Sequence, residues 1–517
     1  MTRAQTLDPV TLSVLANALA GVADEMGAVL VRGAYSANIK ERRDCSTALF
    51  DSHGRMVAQA EHIPVHLGAM TGSVDAVLAR APEPGDVFVL NDPFQGGSHL
   101  PDVTLISTVT LGDTVVGYAV ARAHYAEIGG AQPGSMTADS RDIYQEGIIL
   151  PPVRLVRAGE LVTDVLDIFL ANVRTPDVAR GDLRAQLAAV RLAQTRLAEL
   201  ADRFGADLLL AGFDGVISYA ERRTREAIRA LPAGTYTARG EVEGDGCQDD
   251  DVPIQVAVTV ADGKVTVDFA GTAGAVAGNV NCPLAVTRSA CLFALRVALR
   301  LDVPANAGSA APLLVLAPEG SLVNAVRPAA VVAGNVETSQ RVADTVLAAL
   351  SQATEVPAPG QGTMNNLVLA GEGWAYYETI AGGQGAAVGA PGDSGVHVGM
   401  TNTLNTPIEA LELEYPMRVE RYELRYGTGG AGRWPGGDGV VRAVRMLAPG
   451  NGSLITDRRR HAPAGIDGGG PGAVGENLLN DEPLPSKAGF TLESGDVVTV
   501  RTPGGGGAGA PGGKEPR

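Results

Sequence analysis

The stretch NDPFQGGSHLPDVTLISTVTLGDTVVGYAVARAH, from Asn91 to His124, carries the clearest structural and chemical pattern in the chain. Its two apolar halves are rich in Val, Thr, Leu and Ile, and Gly112-Asp113 between them is a turn signal, so the stretch predicts a β-hairpin. If the loop holds an odd number of residues, Asp102 pairs with His124 on one face of the sheet, with Cβ atoms about 5 Å apart. A loop with an even number would send the two side chains to opposite faces.

A third polar side chain lies close to this pair in the sequence. His99 stands three residues before Asp102, in a loop that contains Gly96 and Gly97, so it can fold back towards the hairpin. Two imidazoles and one carboxylate, without cysteine, leave positions open for water or substrate, which is typical of catalytic metal sites. The alternative is that His99 and Asp102 cap a turn and that His124 is an ordinary histidine at a strand end.

The composition limits the class of protein. A chain of 517 residues exceeds one typical domain, and its 45% hydrophobic residues indicate a folded, turn-rich protein. The net charge of −17 argues against nucleic acid or an anionic membrane as the partner. No apolar run approaches the roughly 18 residues of a membrane span. The four cysteines lack CxxC spacing, which suits reduced thiols, so we expect a cytoplasmic protein.

The order of the segments predicts a mixed α/β (α+β) fold with several subdomains. Asp8-Pro9 predicts a capped first helix, and Gly205 separates two helical stretches that we expect to form an antiparallel pair. The tail from Gly504 to Arg517 is typical of a flexible end, although it could also lie along a partner. The predicted regions are 1–232, with the hairpin and the helical pair; 233–360, a β-meander with helices; and 361–517, a Gly-rich β region with this tail.

The other polar motifs are weaker. Asp44 stands just before a short predicted strand, where a carboxylate could act, but the charged run around it also fits a solvated surface. His62 or His66 could line a pocket, but structural roles fit both histidines better. Glu146 could support a metal ligand or act as an acid–base group, but a surface or hydrogen-bonding role fits it better. Gly427–Gly432 matches GxGxxG, but Arg-Trp-Pro-Gly-Gly follows it and cannot open the required helix, so we exclude dinucleotide binding there.

Several further motifs follow one another along nearly the whole chain. They are NIKERRD (38–44), IPVHLG (63–68), NDP with the loop up to residue 102 (91–102), RAH (122–124), PGS (133–135), YQEG (144–147), GNVETSQR (334–341), TNT (401–403) and GGAGR (429–433). In these motifs the chain resembles the B subunits of the hydantoinase B/oxoprolinase family. By this resemblance the family's metal ligands fall on His99, Asp102 and His124, and a catalytic or metal-adjacent carboxylate falls on Asp44.

The resemblance implies a division of labour between two subunits. A hydantoinase A-type subunit would bind ATP and phosphorylate the carbonyl oxygen of a lactam or imide, in a heteromer of the A2B2 type. This agrees with the absence of a P-loop from the chain. The B subunit would then complete the hydrolysis with one divalent ion (manganese, zinc or iron) and Asp44 as the general base.

Three alternatives stay open at this stage. Ketone carboxylases in the same family leave carboxylation as a second reaction. Two histidines and one carboxylate also form the site of non-haem iron oxygenases, but those commonly have His-x-Asp spacing, whereas this chain has His-x-x-Asp. The chain could also be a structural docking subunit with a vestigial metal.

Overall fold

The computed structural model describes residues 7–512. The helices are α1 (Pro9–Gly33), α2 (Ala37–Lys40), α3 (Met70–Leu78), α4 (Thr163–Ala171), α5 (Pro176–Phe204), α6 (Ala206–Arg229), α7 (Leu284–Leu299), α8 (Ala307–Ala310), α9 (Ser339–Leu350) and α10 (Ile408–Glu414). The strands are β1 (Cys45–Asp51), β2 (Met56–Glu61), β3 (Val87–Leu90), β4 (Asp102–Leu111), β5 (Thr114–His124), β6 (Val153–Arg157), β7 (Glu160–Leu161), β8 (Gly234–Glu243), β9 (Asp251–Ala261), β10 (Lys264–Asp268), β11 (Leu313–Leu316), β12 (Asn366–Gly371), β13 (Trp374–Thr379), β14 (Met417–Arg425), β15 (Gly439–Met446), β16 (Gly450–Ile455), β17 (Glu476–Leu479), β18 (Glu482–Leu484), β19 (Lys487–Leu492) and β20 (Val497–Arg501).

The strands form four sheets, and the fold is of the predicted mixed α/β class. The strand orders are β2-β1-β5-β4-β3-β6-β7, β11-β10-β9-β8, β13-β12-β16-β19 and β14-β15-β20-β17-β18. Among the strand pairings of residues 7–512, only β10 and β11 run parallel. The largest sheet carries the hairpin at its centre, so β4 and β5 are hydrogen-bonded to strands on both sides.

The hairpin has the predicted register but not the expected loop. Strands β4 and β5 are joined by only two residues, Gly112-Asp113, and this even number would by itself put the two polar side chains on opposite faces. A β-bulge corrects the parity, because Val109 pairs with Gly117 whereas Thr110 pairs with Val115. Asp102 therefore lies directly opposite His124, as predicted.

Helix α1 is the first element of the core. Asp8 caps it by accepting hydrogen bonds from the backbone N–H groups of Val10 and Thr11, as the sequence predicted. Within residues 7–512 it is the one helix long and apolar enough to cross a membrane. Its apolar stripe is buried, however, and the helix packs against α5 and the strands β1 and β2, which is the position of a core helix.

The helical pair and the long helices of the middle region lie where the sequence predicts helices. Gly205 separates α5 from α6, and the two helices contact each other. The helices predicted in the middle region appear as α7 and α9, and the short α8 lies between them. A π-helical turn, Gly334–Thr338, precedes α9 directly. It is relevant to function because such turns often occur at functional sites.

The hydrophobic cores cross the boundaries between the predicted regions. Ile63 and Val65, which belong to the first region, pack in the core built around the β8–β11 sheet. Tyr377 of β13 joins the same core, and Val331 joins the core under the large sheet. Side chains from all three regions therefore meet where β4 begins and β5 ends.

The glycine-rich C-terminal segment differs from the flexible end that we expected. Gly504–Gly507 are buried, and their N–H groups donate to backbone carbonyls such as those of Gly437 and Pro359. A Cβ atom on Gly505 would lie only 2.0 Å from the Gln384 carbonyl oxygen, so glycine is needed for this close approach. Residues 513–517 of the tail lie outside the described residues.

Candidate metal centre

The three predicted metal ligands come together at the open end of the hairpin. His99 Nε2 and His124 Nδ1 each lie 3.3 Å from Asp102 Oδ1, and the two nitrogens are 3.2 Å apart. All three side chains are buried. The hairpin register supplies Asp102 and His124, and the glycine-containing loop brings His99 back to them. Their role as ligands stays a prediction at this point.

The three atoms form a nearly equilateral triangle whose sides have the length expected for ligands of one metal ion. Ligand atoms about 2.0–2.1 Å from one tetrahedral zinc ion lie about 3.3–3.4 Å from one another. Asp102 Oδ1 is buried and makes no well-aligned hydrogen bond, despite its two imidazole neighbours. A buried carboxylate oxygen in this state is unfavourable unless a cation satisfies it. The donor set therefore fits a divalent ion.

Asp44 lies beside this triangle. Its Oδ2 atom is 4.0 Å from His124 Nδ1 and accepts a hydrogen bond of 3.3 Å from Asn38 Nδ2. The backbone N–H of His124 donates to the Asp44 carbonyl oxygen, and Asn38 Nδ2 donates to the His124 carbonyl oxygen. Asp44 is thus buried, not solvated, and it is held close to the predicted ligands without being one corner of the triangle.

Two side chains that the sequence did not assign to the cluster hold the other oxygen of Asp102. His66 Nε2 lies 3.3 Å from Asp102 Oδ2, and the Ser98 hydroxyl donates to the same atom. His66 Nδ1 in turn lies 3.0 Å from Ser46 Oγ. These contacts direct Oδ1 towards the two imidazoles of the triangle, which is the usual role of partners behind a metal ligand.

The charges of the cluster suit metal binding. Burial raises the pKa of Asp102, but the neighbouring His99 and His66 outweigh this effect and hold the pKa well below its usual range. Burial lowers the pKa of His99, despite the opposing effect of Asp102. A carboxylate and a neutral imidazole are the protonation states in which these groups bind a metal.

A chain of hydrogen bonds supports His99 from behind. Its Nδ1 atom lies 3.3 Å from the Val332 carbonyl oxygen. The N–H groups of Val331 and Val332 donate to Glu146 at 3.0 Å, and Ser140 Oγ donates to it at 2.9 Å. Glu146 is fully buried, so a surface role is excluded and the expected hydrogen-bonding role is the correct one. Burial raises the pKa of Glu146 to about 8.

A small cavity adjoins the cluster. Its wall contains Asp44, His66, Asp102 and His124, together with Asn335 and Val336 of the π-helical turn and Tyr377, Thr379, Thr401 and Thr403 of the C-terminal region. Its volume is about 20 Å³, which is room for about one water molecule. The Tyr377 ring stacks on His124 at a centroid distance of 4.5 Å.

The glycine motif that the sequence analysis rejected is not a nucleotide-binding turn. Irregular backbone follows Gly427–Gly432, and the next element is β15, so no helix N-terminus is available for a pyrophosphate.

The chain resembles known proteins over nearly its whole length. Residues 8–511 match the family model described as hydantoinase B/oxoprolinase. The chain is 38% identical to 5-oxoprolinase 1 of Arabidopsis thaliana over 97% of its own length, but it spans only 42% of that protein. It is 34% identical to the putative B-type subunit of a D-/L-hydantoinase from Pseudomonas sp. strain NS671, over 99% of this chain and 91% of that relative.

Two solved structures have the same fold. The ATP-dependent caprolactamase from Pseudomonas jessenii aligns with a TM-score of 0.91 and 27% identity, over 98% of this chain and 92% of that one. Acetone carboxylase, in its nucleotide-free structure, aligns with a TM-score of 0.89 over 98% of this chain and 76% of that one; at 18% identity this likeness concerns the fold alone. On the family match and the identity to these relatives, the chain belongs to the hydantoinase B/oxoprolinase family.

Proposed function

We propose that this chain is the metal-dependent B subunit of an ATP-dependent cyclic amidohydrolase. It would act on a lactam or imide whose carbonyl oxygen a hydantoinase A-type subunit has phosphorylated. The observation that carries the proposal is the triangle of His99, Asp102 and His124 beside Asp44, next to a cavity with room for about one water. The names of the relatives, 5-oxoprolinase and ATP-dependent caprolactamase, support the reaction class.

The chemistry explains why ATP and a metal would both be used. An unstrained amide is stabilised by resonance, and phosphorylation of its oxygen turns that oxygen into a leaving group and makes the carbon electrophilic. Manganese, zinc and iron all accept nitrogen and oxygen donors. A divalent ion held by these donors would polarise the reacting centre and lower the pKa of a nearby water.

The chain's own residues would then have distinct roles. His99, Asp102 and His124 would hold the ion, while His66 and Ser98 would orient the Asp102 carboxylate. Asp44 would accept the proton of the attacking water as general base. The buried wall would exclude bulk water from the phosphorylated intermediate. Because the cavity is too small for a cyclic amide, part of its wall would have to move when the substrate binds.

The partner and the compartment belong to the same proposal. We expect an A2B2-type heteromer, since the ATP site would lie on the A subunit. All four cysteines are free thiols, which agrees with a reducing cytoplasm.

The test is co-expression with the neighbouring A-type subunit and an ATPase screen over hydantoins, 5-oxoproline, lactams and ketones. We expect ATP hydrolysis coupled to opening of a cyclic amide, lost after chelation of the metal and restored by manganese or zinc. ATP-dependent carboxylation of a ketone would instead establish the carboxylase reaction. Oxygen-dependent activity without ATP would establish an oxygenase. The mass of the purified complex, from light scattering, tests the stoichiometry.

A further inference from the structure

Three threonines of the C-terminal region line the cavity beside the metal cluster, where Asn335 and Tyr377 also contribute polar groups to the wall. Thr379 ends β13, and Thr401 and Thr403 lie in the irregular segment before α10. All three are buried. Their hydroxyl groups therefore require a reason other than solvation.

A buried cation lies directly behind these hydroxyl groups. Arg42 is 0% exposed, and its Nη2 atom donates to Thr379 Oγ1 at 2.5 Å and to Thr403 Oγ1 at 3.0 Å. Its Nη1 atom has no hydrogen-bond partner, and the nearest carboxylate oxygen, on Glu378, is 4.0 Å away and already bound to Arg442. A buried guanidinium is unfavourable unless an anion offsets its charge, and no closely paired carboxylate does so here.

The three threonine hydroxyl groups have more protons to donate than there are acceptors around them. Thr379 Oγ1 and Thr403 Oγ1 are 2.5 Å apart, so one proton is used between them. His397 Nδ1 lies 3.2 Å from Thr401 Oγ1 and His397 Nε2 lies 3.4 Å from Thr403 Oγ1. Burial and the Arg42 charge lower the pKa of His397, so the ring is neutral and only one of its nitrogens can accept. Of the three hydroxyl protons, one therefore has no acceptor within this cluster.

We propose that Thr379, Thr401 and Thr403, backed by Arg42, bind an anionic oxygen of the substrate beside the metal ligands. This inference rests on the proposed function and names the part of the substrate that this wall recognises. The oxygen belongs either to the reacting carbon or to the phosphoryl group attached to it. With a divalent ion in place, the ion and Arg42 together carry three positive charges, and the carboxylates of Asp44 and Asp102 carry two negative charges. The remaining positive charge favours the binding of one negative charge from the substrate.

The matched variants are Thr403→Val, which keeps the shape but removes the hydroxyl, and Thr403→Ser, which keeps the hydroxyl. In the complex with the A subunit, we expect Thr403→Val to lower kcat by about 10²–10³-fold, as for the loss of one oxyanion donor. Thr403→Ser should stay within a few-fold of the wild type. Thr224→Val, which removes a buried hydroxyl that bonds only within α6, is the control for a general loss of stability.

A second measurement does not depend on turnover. Calorimetry measures the affinity of the metal-loaded chain for inorganic phosphate, and metal titration shows whether each variant still binds its ion. A loss of phosphate affinity of about tenfold in Thr403→Val, but not in Thr403→Ser, would support the site and identify the phosphoryl oxygen. A loss of kcat with phosphate affinity retained would support the site and identify the oxygen on the reacting carbon.

The failure of this inference differs from the failure of the proposed function. If Thr403→Val equals Thr403→Ser in both measurements while the wild-type complex opens cyclic amides, the anion site is wrong and the function stands. If the wild-type complex opens no cyclic amide, the function is wrong and phosphate affinity alone decides the anion site. In that case, equal phosphate affinity of Thr403→Val and Thr403→Ser would show that the anion site is wrong.

Discussion

The substitution His99→Ala tests whether the three converging side chains bind a metal ion. A wild-type chain at a metal concentration of about 100 Kd should gain about 2.7 kcal/mol in free energy of unfolding. Loss of a residue behind a ligand costs about 10–100-fold in metal affinity, so loss of a ligand itself should cost at least about 100-fold. The same metal concentration is then close to the Kd of the variant, whose free energy of unfolding rises by only about 0.4 kcal/mol.

The assay is thermal or urea unfolding of chelator-treated protein, with and without added zinc or manganese. Comparing each variant with itself cancels the cost of the cavity that the missing imidazole leaves. His53→Ala is the matched control, because the His53 side chain is 78% exposed and lies outside the cluster. Equal gains for His99→Ala and the wild type would refute the metal site, as would the absence of any gain in the wild type.

Three further substitutions test other parts of the molecule. Asp44→Asn should keep metal affinity in the same titration but lose about 10²–10⁴-fold in kcat, because it removes the proposed base; loss of the metal would make Asp44 a ligand instead. Burial raises the pKa of Glu146 from 4.5 to about 8. The free energy of unfolding should therefore fall as the pH rises between these two values, by about 1.4 kcal/mol per pH unit for this group. Glu146→Gln should remove this part of the pH dependence, as measured by urea titrations at several pH values. Leu19→Ala truncates a fully buried side chain of α1 and should cost about 2–5 kcal/mol in urea unfolding, without a change in metal affinity.

The local half of the candidate site was predictable from the sequence. Asp102 and His124 belong to one hairpin, so strand alternation relates their side chains, and His99 is only three residues away. The reason given for the register was nevertheless wrong, because the loop is even and a bulge near Gly117 restores the parity. A bulge was not visible in the sequence, since it depends on how closely β5 packs on β1: a Cβ atom on Gly117 would lie 2.2 Å from the Phe50 carbonyl oxygen.

The other half of the site was not predictable from spacing. Arg42 and Thr403 are hydrogen-bonded although 361 residues separate them, and no periodicity relates such positions. His66 looked like a structural histidine because 36 residues separate it from Asp102, and no local pattern predicts their contact. The glycine content of 504–507 suggested flexibility, whereas it reflects contact between backbones.

The buried glycine segment also has a consequence for biosynthesis. Gly504, Gly505 and Gly506 fill a slot whose sides are the carbonyl groups of Thr428, Gln384 and Ala464, all of which precede the segment in the chain. During synthesis on the ribosome, the slot between these loops therefore stays unoccupied until the glycine segment has been made.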